Sequence, residues 1–150
     1  MNQEKLIKRR MISAIILFII TSIALLVFIA LYMDEVRRVQ ETYRNQYRTS
    51  LGDVVEDIRS YRNGEGDMEL RYMRILSDMS GANSFVFLID DLGDEKKVIN
   101  EVNTCIMKYP EQMKKKLDEL ETALQDILDE LGKGYDEAKA LVDSIDKQGY

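Results

Sequence analysis

Apolar positions follow three patterns along this chain, and each predicts a different kind of helix. Residues 11–33 read MISAIILFIITSIALLVFIALYM, apolar on every side and without a charged residue. At ~1.5 Å per residue a helix of that length covers roughly 34 Å, enough to cross a ~30 Å hydrocarbon core. A soluble helix keeps a polar face; this one has none, which argues against a buried core helix. Ser22-Ile23-Ala24 is a passable signal-peptidase site, but residues 25–33 extend the apolar run well beyond the length of a cleaved signal. The run therefore predicts an uncleaved signal-anchor helix.

The second pattern is a stripe. Val36, Val39, Tyr43, Tyr47, Leu51, Val54, Ile58 and Tyr61 recur in steps of three and four, which keeps them on one helical face. No proline precedes Pro110, so the membrane helix can continue as a stalk over residues 34–62. Gly52 weakens it by ~1 kcal/mol relative to alanine, and Ser50 offers a cap for a fresh start there.

Shorter apolar sets make up the third pattern. Asn63-Gly64-Glu65-Gly66-Asp67 is a clear break. A helix is then predicted from Met68 to about Met79, stopped by Ser80 and Gly81. Phe85 to Ile89 read as a strand or, preferably, as a short helix capped by Asn83 or Ser84. Asp94 should cap a helix carrying Val98, Val102, Cys105, Ile106 and Tyr109, and Pro110 suits the first turn of the next. Met113, Leu117, Leu120, Leu124, Ile127 and Leu131 then form a heptad-like seam, and a last helix follows Gly132-Lys133-Gly134. The expected fold is all-α: a basic tail (1–10), a transmembrane helix (11–33), a stalk helix (34–62) and a small antiparallel, acidic helical bundle (63–150).

Charge sharpens this layout. All but four of the 21 Lys and Arg, and all but one of the 27 Asp and Glu, lie beyond residue 33, leaving that body with a formal charge of −9. Such a body repels nucleic acid at long range. Lys5, Lys8, Arg9 and Arg10 abut the apolar run, whereas Asp34 and Glu35 separate it from Arg37 and Arg38. With Arg44 and Arg48 counted, the basic clusters on the two sides tie at four each, and their spacing favours a cytoplasmic N-terminus with residues 34–150 extracytoplasmic. Lys5, Lys8, Arg9, Arg10, Arg37 and Arg38 are the candidate membrane-surface contacts. Within the span, no small residues recur four apart, so tight helix dimerisation is not signalled.

Candidate chemistry is sparse. The chain has no histidine, no tryptophan and one cysteine. The commonest general base and metal ligand is thus missing, and no internal disulfide can form. Asn63, Glu65, Asp67 and Glu69 alternate as calcium-loop ligands do, but Met68 replaces the required glycine and no closing glutamate follows. Lys114-Lys115-Lys116 reads as a solvated face, and Cys105 as an inert thiol on an apolar face. No catalytic, cofactor-binding or metal-binding residue can be nominated, which argues against an enzyme. Two seams remain: Tyr43, Tyr47, Leu51, Val54 and Ile58 on the stalk, and Leu117, Leu120, Leu124, Ile127 and Leu131 in the bundle. The stalk seam can meet another protein or a second copy; the leucine seam can do the same or pack the domain's own core. The layout resembles bacterial division and envelope scaffold proteins, and also sensor ectodomains. The function expected is a membrane-anchored interaction or scaffold protein without catalysis or cofactor. The alternative is a ligand-sensing helical ectodomain acting through a membrane partner.

Overall fold

The chain folds as helices joined by short turns in a computed structural model that describes residues 2–148. Among those residues there is no strand. The helices are α1 (Asn2–Arg62), α2 (Met68–Val86), α3 (Glu95–Lys108), α4 (Pro110–Met113), α5 (Leu117–Asp129) and α6 (Tyr135–Asp143), with a 3-10 turn at Lys114–Lys116 between α4 and α5. The all-α class expected from the periodicities is therefore observed. Two compact units arise, Met1–Val39 and Gln40–Tyr150, and α1 contributes to both.

The first unit is helix alone. It is long and apolar enough to cross a membrane by length and composition, and among the described residues nothing covers it: Phe18 is 73% exposed and Leu26 66%. Two of its hydroxyls are satisfied inside the helix. Thr21 Oγ1 donates to the Leu17 carbonyl and Ser22 Oγ to the Phe18 carbonyl, both at 2.8 Å. This leaves neither hydroxyl in need of water.

The second unit is a bundle with one apolar interior. Tyr47, Leu51, Val54, Val55 and Ile58 of α1 join Ile75 and Met79 of α2, Ile99, Val102 and Ile106 of α3, Leu120, Leu124 and Ile127 of α5, and Ala138 and Val142 of α6. α2 packs on α3, and α6 packs on both α3 and α5. From Gln40 onward, the stripe that predicts a free stalk is thus part of the bundle, because its apolar face is buried there.

Local chemistry sets most of the boundaries. α1 ends in a Schellman motif: Gly64 takes φ +68, its N–H bonds the Tyr61 carbonyl, and Glu65 N–H reaches the Ser60 carbonyl. Asp67 Oδ1 then caps α2 by accepting from the N–H groups of Glu69 and Leu70 at 2.9 and 3.2 Å. Contrary to expectation, α2 passes through Ser80 and Gly81 to Val86. Ser80 and Ser84 return their hydroxyls to the Leu76 and Ser80 carbonyls and so cap nothing. Residues 85–89 form neither a strand nor a separate helix, but the end of α2 and the turn after it. Asp94 does precede α3, yet its carboxylate takes Lys97 Nζ at 2.8 Å instead of a backbone N–H. Pro110 opens α4 as anticipated, but the helix expected to follow is interrupted by the 3-10 turn. There Lys114 Nζ lies 5.1 Å from the Tyr72 ring centroid.

Gly134 is the tightest position. Its φ is +80, and a Cβ there would lie 2.3 Å from the Ala123 carbonyl oxygen. Gly134→Ala should cost on the order of 2–4 kcal/mol, from strain at positive φ plus the clash with α5. Gly52 is the internal control, since a Cβ there meets nothing within 4 Å. Gly52→Ala should stabilise by up to ~1 kcal/mol through helix propensity. Urea unfolding of both variants measures the pair, and a harmless Gly134→Ala would contradict the packing described.

Candidate interaction surfaces and polar clusters

Both seams singled out in the sequence point inward. Tyr47, Leu51, Val54, Ile58, Leu120, Leu124 and Ile127 are fully buried, Leu117 keeps 2% exposure, and Tyr43 and Leu131 are half-buried against the same core. They belong to a single interior, and the fully buried ones are closed off from the surface. Of the candidate lipid contacts, Lys5, Lys8, Arg9, Arg10, Arg37 and Arg38 are all exposed on α1. Arg38 is paired with Glu35 at 2.7 Å, and the hydrogen bond its guanidinium donates to that carboxylate raises its pKa.

One polar contact sits inside the core. The Tyr47 and Tyr135 hydroxyls lie 3.1 Å apart and tie α1 to α6. Burial pushes both phenols above their ordinary range, and at Tyr47 the neighbouring Tyr135 adds to the effect. Tyr72 is pushed up by burial as well, and its hydroxyl donates to the Ile106 carbonyl at 2.8 Å. All three therefore fold as neutral phenols that stiffen helix contacts rather than as acid–base groups.

Arginines of α1 grip the rest of the bundle. Arg44 pairs with Asp91 at 2.5 Å, and Arg48 donates to the Leu128 carbonyl near the end of α5. Arg59 and Arg62 converge on Glu121 at 2.6 and 2.5 Å, and Arg62 also holds Asp118 at 2.6 Å. Burial alone would push the Glu121 carboxyl up, but hydrogen bonds from the two guanidinium groups hold it below the usual carboxylate range. Gln40 makes a neutral clamp of the same kind. Its Nε2 donates to the Leu88 carbonyl at 3.1 Å, and its Oε1 accepts from Asp90 N–H at 2.9 Å. Sequence reading missed Gln40 and the Tyr47–Tyr135 pair, because partners 50 and 88 positions away leave no local mark.

Acidic residues gather in two places. Asp53, Glu56, Asp57 and Asp78 line a shallow cleft with Arg74. Asp57 is held by Arg71 at 3.0 Å. The Asp78 carboxyl is raised by burial first and then by the charges of Asp57 and Asp53. A larger polar cleft of about 520 Å³ lies between α3, α5 and α6, lined by Asp94, Glu95, Lys133, Tyr135, Asp136 and Lys139 among others. Among the described residues no group of three or more acidic or thiol ligands is arranged to hold a metal ion. In the calcium-like loop, Asp67 is spent on its cap, and the Glu65 side chain takes Asn63 Nδ2 at 3.3 Å. Cys105 is buried, and burial raises its thiol pKa. Comparison with protein-family models, curated proteins and solved structures finds no match for this chain.

Two outcomes test this geometry. Tyr47→Phe and Tyr135→Phe should each cost about 1–2 kcal/mol, while the double variant costs less than their sum by roughly 1 kcal/mol. Strict additivity in a double-mutant cycle would mean that the hydroxyls do not interact. For Asp78 the folded pKa lies above the unfolded value, so the fold favours the protonated acid. Ionisation at neutral pH therefore subtracts stability, and the penalty disappears as pH falls below the ordinary aspartate pKa of about 3.9. Asp78→Asn should raise the urea midpoint at neutral pH, with an advantage that shrinks toward acid; a pH-independent difference would exclude this cause.

Proposed function

We propose that this protein is a single-pass membrane-anchored helical interaction or scaffold protein. Its acidic bundle is carried on the extracytoplasmic side, and it works by contact rather than by catalysis. The observation that carries this reading is the contrast between the two parts of α1. From residue 47 the helix buries its apolar stripe in the bundle, whereas residues 11–33 present apolar side chains in every direction, uncovered among the described residues. At roughly 25 cal/mol per Å² of apolar surface, a helix that exposed leaves water for lipid or for another protein. The self-satisfied hydroxyls of Thr21 and Ser22 favour lipid. Lys5, Lys8, Arg9 and Arg10 beside the run support a cytoplasmic N-terminus. Because both seams are spent on the core, contact with a protein partner or second copy falls to the outer faces of the bundle.

The second reading is a ligand-sensing bundle working through a membrane partner. It is favoured by the polar cleft between α3, α5 and α6, where lysines and carboxylates stand side by side.

Full-length protein in membranes should stay in the pellet through alkaline carbonate washing, and in mild detergent it should elute as a homo-oligomer or with a recurring stoichiometric partner. Release by carbonate would overturn the anchor; a solitary monomer would overturn the scaffold role. Topology is best read with cysteines substituted at exposed sites, in place of Cys105, because that thiol is buried. Impermeant maleimide should label them from outside intact cells.

A further inference from the structure

The turn between α2 and α3 has an apolar tip that the bundle does not use. Val86 and Ile89 are fully buried, but Phe87 and Leu88 between them are 52% and 45% exposed. Five consecutive apolar residues, 85–89, are more than one face of a helix end can bury. The remainder is displayed as an adjacent aromatic and aliphatic pair. The tip is held in place: Gln40 fixes the Leu88 carbonyl and the Asp90 N–H together, and Arg44 neutralises Asp91 beside it at 2.5 Å.

The position of that clamp along the chain decides what can cover the tip. Gln40 follows Met33, the last residue of the uncharged run, by seven residues. In a helix seven residues advance about 10 Å; even fully extended they reach no more than about 25 Å. The interfacial layer outside the hydrocarbon is several ångströms thick on each side. Any arrangement that keeps residues 11–33 in a bilayer therefore keeps the turn bound to Gln40 close to that bilayer's surface. Aromatic rings favour that layer, and Arg37 and Arg38, on the seven-residue connection, suit its phosphates.

We propose that Phe87 and Leu88 insert into the headgroup region of the membrane that holds residues 11–33, giving the bundle a second contact with a lipid surface. This rests on the anchor reading above. Asp90 and Asp91 follow the tip directly and limit its depth to the interface.

The chain has no tryptophan, so a single introduced one reports its own surroundings. Full-length Phe87→Trp is reconstituted in vesicles of phosphatidylcholine and phosphatidylglycerol, with or without brominated acyl chains. Met107→Trp, at an equally exposed site near the other end of α3, is the control. Emission from position 87 should be blue-shifted and quenched several-fold more than emission from 107, most strongly by bromines near the headgroups. Retention of both proteins through carbonate washing, with the two positions equally red and equally unquenched, would overturn the inserted turn and leave the anchor standing. Release of the proteins by carbonate would overturn both.

Discussion

The structure of the bundle depends on the burial of one face of α1 between residues 47 and 58. Tyr47, Leu51, Val54 and Ile58 have no exposed surface, and they sit among side chains from α2, α3, α5 and α6. None of those partner helices exceeds 19 residues, and each has an apolar face that would be open to water without a common surface to meet. Helices of that length are marginal alone, so the long helix acts as the template that makes the short ones worth forming. The apolar run of residues 11–33 and the core stripe lie on the same secondary-structure element, α1.

The same division explains a compositional asymmetry that sequence alone leaves without a reason. Beyond the apolar run, every basic residue up to Arg74 is arginine and every later one is lysine. The arginines of α1 and α2 reach across the fold: Arg44 to Asp91, Arg48 to the Leu128 carbonyl, Arg59 and Arg62 to Glu121, Arg71 to Asp57. A planar fork that can hold two acceptors at once suits such docking contacts. The lysines mostly pair three residues away on their own segment, as Lys97 does with Asp94, Lys114 with Glu111, Lys116 with Glu119 and Lys133 with Glu130. Such short-range pairs add little to stability. Lys114, which also reaches Glu69 and the Tyr72 ring, and Arg38, which pairs with Glu35, depart from this division.

Legibility in the sequence followed the range of the interaction. Where a boundary is set within a few residues, it could be read: Gly64 and Asp67 between α1 and α2, Pro110 at the start of α4, Gly134 before α6. Where several apolar residues run together without a period, as at 85–89, no local rule chooses between strand, helix and turn. The tertiary fold decided by burying Val86 and Ile89 and leaving Phe87 and Leu88 out. The stripe from Val36 to Tyr61 was visible as a stripe, but periodicity records only that a face is apolar and not what covers it. Ser80 misled for a related reason: its hydroxyl bonds the Leu76 carbonyl and the Asn103 side chain, the second of which is 23 residues away.

That limit bears directly on function. A seam that closes on its own chain cannot also recruit a partner, so the two features most suggestive of protein contact in the sequence are the ones the fold has already used. What remains outside is an acidic, largely charged surface, two polar clefts, and apolar groups beyond residues 11–33 such as Phe87 and Leu88. Charged outer faces favour contacts that are electrostatically steered and reversible over ones driven by area. Under the proposed function this is sufficient, because confinement to a membrane would raise the effective concentration of any partner held in the same bilayer. The demand on the sequence accordingly falls on residues 11–33 and on the core of the bundle, and those are the parts in which its apolar residues are concentrated.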